Sequence, residues 1–102
     1  MLESKFQSDL IHELKTRFPS CIVVKNDPNY IQGIPDLIVL CNDKWVALEV
    51  KADEFASVRP NQKYYVKKLN EMSYASFIFP ENKSDVLWEV EQIFKGKKKK
   101  QR

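Results

Sequence analysis

Asp36, Glu49 and Lys51 are the residues of this 102-residue chain whose types and spacing carry chemistry. They sit at the ends of two apolar, β-prone runs, Asp36 to Leu40 and Trp45 to Lys51, separated by Cys41-Asn42-Asp43-Lys44. That spacing predicts a tight hairpin turning on Asn42-Asp43, in which Leu40 faces Trp45, Ile38 faces Ala47 and Asp36 faces Glu49. Side chains alternate between the faces of a strand. One face is then Leu37, Val39, Val46, Leu48 and Val50, all aliphatic. The other carries Asp36, Ile38, Leu40, Trp45, Ala47, Glu49 and Lys51. Opposed Cβ atoms lie roughly 4.5–5.5 Å apart, and like charges there repel. Three arrangements relieve the repulsion. A divalent cation such as Mg²⁺ or Mn²⁺ sits between the acids with all-oxygen ligation, one acid keeps its proton, or Lys51 neutralises the pair. Lys51 lies roughly 6–7 Å along the strand from Glu49. That stagger suits a cation aimed at a phosphate oxygen or an attacking water better than an ion pair with both acids. On spacing alone, a hairpin end protruding into water, where charges cost little, is an equal reading.

The elements that position these groups are legible in outline. Phe6, Leu10, Ile11, Leu14 and Phe18 make one apolar stripe of a helix over residues 3–18, stopped by Pro19. Ser20 to Lys25 is a short strand, broken by Asn26-Asp27-Pro28-Asn29. A helix begins at Pro60 and runs to Met72, Tyr74 to Phe79 is a further strand, and Ser84 caps a last helix ending before Gly96. The predicted order is helix, three strands, helix, strand, helix. Both hairpin faces are largely apolar, so both are expected to be covered by helices, in a helix–sheet–helix arrangement.

Composition bounds the rest. At 43% hydrophobic and 30% charged residues, the chain fits one domain that folds without staples. No apolar run approaches the roughly 20 residues of a membrane helix, and the first 20 residues lack a signal-peptide core. Cys21 and Cys41 lie 20 positions apart with no metal-ligand neighbours, so free thiols in a reducing, intracellular (cytoplasmic) setting are expected. Lys95, Lys97 to Lys100 and Arg102 place six positive charges in the last eight residues. The body to Phe94 then holds 11 basic against 14 acidic residues, a net −3. The chain divides into a domain, 1–94, and a basic tail, 95–102, expected to be disordered. The tail reads equally as a nucleic-acid-binding arm or a solubilising end.

Gly33-Ile34-Pro35-Asp36, followed across the hairpin by Glu49-Val50-Lys51, resembles the PD-(D/E)XK nuclease signature. With Gln62 in the following helix and Glu3 at the start of the first, it is similar to the VRR-NUC branch, whose compact stand-alone members are phage-type, Holliday junction resolvase-like enzymes. The resemblance spans Glu3 to Phe79. It implies the three-layer, restriction endonuclease-like α/β fold, with a mixed central sheet flanked by helices. It implies that Asp36, Glu49 and the backbone carbonyl of Val50 hold Mg²⁺, with Mn²⁺ able to substitute. Lys51 would activate the nucleophilic water and stabilise charge on the phosphate, Glu3 would approach the metal or its waters, and Gln62 would help position the site. The implied activity is metal-dependent cleavage of branched or four-way DNA by a homodimer, with no membrane involvement, in a cell or a phage-infected bacterial host. Alternatives are a nuclease for flap, nicked or single-stranded DNA, and a catalytically silent DNA-binding module of the same fold.

The supporting residues also have plainer readings. Glu3 suits a helix first turn by its charge alone. Gln62 falls on the stripe of Tyr65, Val66 and Leu69, so it points inward, where an amide wants a partner. Gly33 permits a close backbone approach or an unusual dihedral. Lys25, Arg59, Lys63 and Lys67 are candidates for DNA phosphate contacts, or a solvated helical face in the case of the last two. His12 has no ligand at metal spacing, Tyr65 and Tyr74 read as packing, and Tyr64 also as packing, though as the most exposed of these three. Trp45 and Trp88 read as core or interface, with the last helix as the expected dimer surface.

Overall fold

The computed structural model describes residues 2–97, so the tail beyond Lys97, with Lys98, Lys99, Lys100 and Arg102, lies outside the described residues. Seven elements follow in order: α1 (Glu3–Arg17), β1 (Ile22–Lys25), β2 (Leu37–Cys41), β3 (Lys44–Val50), α2 (Pro60–Met72), β4 (Tyr74–Ile78) and α3 (Lys83–Phe94). The strands form one mixed sheet in the order β1-β2-β3-β4. The first three are antiparallel and β4 is parallel to β3. A parallel neighbour needs a crossover, and α2 supplies it.

The hairpin register is the one the turn predicts: Leu40 opposite Trp45, Ile38 opposite Ala47 and Leu37 opposite Leu48. Asn42 takes a φ of 58°, a left-handed conformation that its short polar side chain tolerates, and so reverses the chain within two residues. The aliphatic face is fully sealed. Leu37, Val39, Val46, Leu48 and Val50 are all buried with Phe6, Leu10 and Leu14 of α1 and Val86, Leu87 and Val90 of α3. On the other face Ala47, Ala75, Ile38, Trp45 and Phe77 pack beneath Val66 and Leu69 of α2. Three layers result.

Three expectations are corrected. The second face is covered only over β3 and β4, because a single helix lies on it. Ile22, Val24 and Leu40 on the β1–β2 side stay exposed, Leu40 by 41%. The N-cap of α3 is Asn82 rather than Ser84. The Asn82 side chain accepts from Phe79 N–H (2.9 Å) and donates to the Phe77 carbonyl (3.0 Å), so it ties the end of β4 to the helix. Cys21 and Cys41 are not free thiols but a disulfide. Ile22 pairs with Leu40, so one step outward sets the cysteines opposite each other with Cα atoms 4.5 Å apart, the separation of a non-hydrogen-bonded antiparallel pair and within disulfide range. Their distance along the chain hides this, since only the β1–β2 register brings them together.

Candidate active site

The apolar alternation of β2 and β3 drives one face into the main core, and this aims Glu49 and Lys51 to the other side, under the start of α2. Glu49 is 4% and Lys51 8% exposed. Asp36, just before β2, sits across the ladder, and the Val50 N–H donates to its Oδ2 at 2.9 Å. The two carboxyl groups are close enough for the Asp36 charge to act on Glu49. They share a cleft of about 250 Å³ with Asn29, Gly33, Arg59, Asn61 and Gln62.

Gln62 organises the back of this cleft. Its Oε1 accepts from Lys51 Nζ (2.8 Å) and from the Arg59 N–H (3.1 Å), while its Nε2 donates to Glu49 Oε2 (3.0 Å). Two donors on one side and an acceptor on the other leave a single sensible orientation for the amide. The Arg59 contact is also one half of a capping box, so the residue that aligns the site starts the helix as well. Lys51 Nζ further donates to the Ser57 carbonyl (2.9 Å) and stands 3.9 Å from Glu49 Oε2. The ammonium is thus held by two neutral oxygens, with the carboxylate at the edge of ion-pair range.

Burial is the main cause that pushes the Glu49 carboxyl up, to about 8. The neighbouring Asp36 charge adds to it, and Lys51 pulls the other way. Asp36 is also raised, by burial first, against the Val50 N–H and the Lys51 charge. Both carboxyls therefore hold a proton more readily than free ones, which is the second of the three ways of relieving carboxylate repulsion.

Gly33 has both properties that its place before the site requires. Its φ is +89°, and a Cβ there would lie 2.7 Å from Asn61 Cγ and 2.8 Å from the Asn61 backbone carbon. The loop before β2 can rest against the first turn of α2 only because residue 33 lacks a side chain. Asn26 closes the loop below, its N–H donating to the Asp36 carbonyl and its Nδ2 to the Pro35 carbonyl, both at 2.8 Å.

Of the residues singled out in the sequence, Asp36, Glu49, Lys51 and Gln62 come together, and Arg59 lines the same cleft. Val50 takes part through its N–H. Glu3 is exposed at the start of α1 and raises Glu49 only through its charge, the smallest of the influences there. Lys25, at the end of β1, acts on Asp36 in the same long-range way. Lys63 is exposed one turn into α2, and Lys67 lines a separate concavity with Tyr64, Lys68 and Glu71. Among the described residues no cluster of three or more His, Cys, Asp or Glu is assembled for a metal. The sequence reading missed Asn61 and the Ser57 carbonyl. Their roles come from where a loop and a helix end meet, and no residue-type pattern marks that. Among the described residues no helix is long and apolar enough to cross a membrane. Comparison with protein-family models, with curated proteins and with solved structures finds no match.

Proposed function

We propose that this domain is a divalent-metal-dependent DNA endonuclease of the PD-(D/E)XK type, in its VRR-NUC branch, that acts on branched DNA such as four-way junctions as a homodimer. The observation that carries this reading is the meeting of Asp36 and Glu49 in one cleft, with Lys51 and Gln62 fixed directly behind Glu49. Element order and the mixed sheet agree with the resemblance.

The donor set fits magnesium. Mg²⁺ usually takes one or two protein carboxylates and completes its shell with waters and substrate phosphate, so two acids suffice. Asp36 and Glu49 would hold it, with the Val50 carbonyl as the third oxygen of the resemblance. When bound, the ion supplies a water made nucleophilic near neutral pH and a counter-charge for the phosphate. The chain's own residues do the rest. Asp36, kept in place by the Val50 N–H, lines the cleft. Glu49 would ligate only as the carboxylate, so its raised carboxyl would release its proton to solvent on metal binding. Lys51, fixed by Ser57 and Gln62, holds positive charge beside the site where negative charge develops on the phosphate. Arg59 on the cleft wall offers a guanidinium for the strand backbone.

A panel of four-way, three-way, flap and linear duplex DNA in Mg²⁺, with Asp36→Ala and EDTA as controls, tests this. Cleavage of branched DNA by the native chain only, lost in both controls, supports it. No cleavage of any substrate, or unchanged cleavage by Asp36→Ala, overturns it. Glu3 standing apart from the cleft, and the lack of a three-acid cluster among the described residues, favour a second reading, a silent DNA-binding module. That module binds junctions equally well in EDTA and cuts none.

A further inference from the structure

We propose that Tyr30, Ile31 and Ile34 form a stacking subsite for one unpaired nucleobase, beside the cleft that takes the phosphate. This rests on the nuclease reading and adds to it the feature that separates branched from continuous duplex DNA. The loop between β1 and β2 encloses a second concavity of about 260 Å³, lined by Asn26, Asp27, Tyr30, Ile31 and Ile34. Ile34 also lines the Asp36–Glu49 cleft, so the two hollows share a wall. A strand whose phosphate lies in the cleft has its adjoining base within reach of the second hollow.

The lining suits a base and not a phosphate. Tyr30 is 85% and Ile31 37% exposed, which is costly display for an aromatic and an aliphatic side chain. Among the described residues the one charged group in the hollow is Asp27, which repels phosphate and accepts hydrogen bonds from amino groups such as those of adenine, cytosine and guanine. One Asp27 oxygen accepts from the Asn29 N–H (2.8 Å), and the carboxylate retains capacity for another donor. The Tyr30 N–H donates to the Asp27 carbonyl (3.2 Å) and the Ile34 N–H to the Ile31 carbonyl (3.4 Å). With Asn26 closing the base of the loop, the ring is displayed on a formed turn, so little ordering entropy is lost on stacking. A base inside a continuous duplex cannot reach a side hollow without leaving its stack, whereas one at a branch point or flap is already free. Stacking of this kind is tolerant of sequence, as a structure-selective enzyme requires.

The test uses the full chain in EDTA, so that binding is read without cleavage, and a flap oligonucleotide with 2-aminopurine at the unpaired position next to the branch. The native chain quenches the probe. Tyr30→Ala loses the quenching and binds the flap about 5- to 150-fold more weakly, Tyr30→Phe restores both, and affinity for the fully paired duplex of the same sequence stays within about twofold. Flap affinity unchanged in Tyr30→Ala, or an equal loss on flap and duplex, overturns the subsite. Thermal unfolding of each variant shows whether it has folded. Replacing an unpaired adenine by purine, which lacks only the amino group, separates the role of Asp27: weaker binding than with adenine, reduced to parity in Asp27→Asn, supports it, and parity in the native chain overturns it. Because no step depends on the metal, an inactive enzyme that still quenches the probe refutes the nuclease reading alone. A cutting enzyme that does not quench refutes the subsite alone.

Discussion

Lys51 Nζ lies 2.8 Å from Gln62 Oε1 and 3.9 Å from Glu49 Oε2, so the buried ammonium is positioned by an amide and not by the acid next to it. A purely structural lysine would be expected to close on the carboxylate, since a buried ion pair is worth its desolvation only at good geometry. Here Glu49 faces the cleft, and the amide bridges the two groups while their direct ion pair stays long. Lys51→Met, close in length but without charge, should lower single-turnover cleavage by about 10²–10³-fold. Gln62→Ala should cost less, about 10–100-fold, as a group acting through its neighbours. The ranking is the check. Equal activity of native chain and Lys51→Met at saturating Mg²⁺ would remove the lysine from the mechanism.

The raised Glu49 carboxyl makes stability depend on pH. Its ordinary value is 4.5 and burial, with Asp36, lifts it to about 8 in the fold. Between these values the folded chain binds more protons than the unfolded one, so stability falls as pH rises through the window and levels off above it. The raised Asp36 acts with the same sign. Metal-free protein should therefore be less stable, and melt at a lower temperature, at pH 8 than at pH 5. Glu49→Gln should flatten the slope. A slope as steep in Glu49→Gln as in the native chain would assign the titration elsewhere.

On the proposed metal-dependent reading, the same proton would compete with a cation. Because Glu49 must ionise to ligate, the apparent affinity for Mg²⁺ should fall towards tenfold per pH unit below about 8. Calorimetric titration in buffers of different ionisation enthalpy measures the proton released. Binding with no proton release at pH 6.5 would mean that the ion does not use Glu49.

How much of this could be read in advance depends on the range of the interactions. The β2–β3 register was legible because an alternating apolar face and a two-residue turn at Asn42 are local signals, and they set Asp36 against Glu49. Gln62 was legible as an inward polar residue from its place on the stripe of α2. The disulfide was not, because it depends on where β1 pairs with β2 across the loop containing Tyr30. The open side of the sheet was not, because alternation says that Leu40 faces the side opposite the main core but not how far one helix, α2, reaches across it. Glu3 was placed by resemblance, and nothing local holds its side chain over the cleft.

Gly33 is expected to tolerate no side chain. With φ at +89° and Asn61 2.7 Å from the missing Cβ, Gly33→Ala meets both backbone strain and a clash. The cost should be about 1–3 kcal/mol of unfolding free energy, with a larger proportional loss of cleavage because the loop carries Asp36. Trimming Asn61 should not rescue it, since the Asn61 backbone carbon lies at 2.8 Å as well. Chemical denaturation of Gly33→Ala, alone and with Asn61→Ala, measures this. Native stability of the single variant would contradict the close approach.

The Cys21–Cys41 bridge ties the edge strand β1 to β2 across 20 residues of chain, a span that includes the Tyr30 loop. Closing a loop of that length restricts the unfolded chain by roughly 3 kcal/mol. Reduction with dithiothreitol should lower the unfolding free energy of the native chain by about 2–4 kcal/mol and leave a Cys21→Ser/Cys41→Ser variant unaffected. Asn26 follows directly on β1 and holds the Asp36 carbonyl, so a loosened edge should be felt at the cleft before the main core, which rests on α1 and α3. Hydrogen exchange should then show faster exchange at Val23 to Asn26 on reduction, with little change at Val46 to Val50. Uniform acceleration over the whole sheet would mean that the bridge supports the fold as a unit and not its edge.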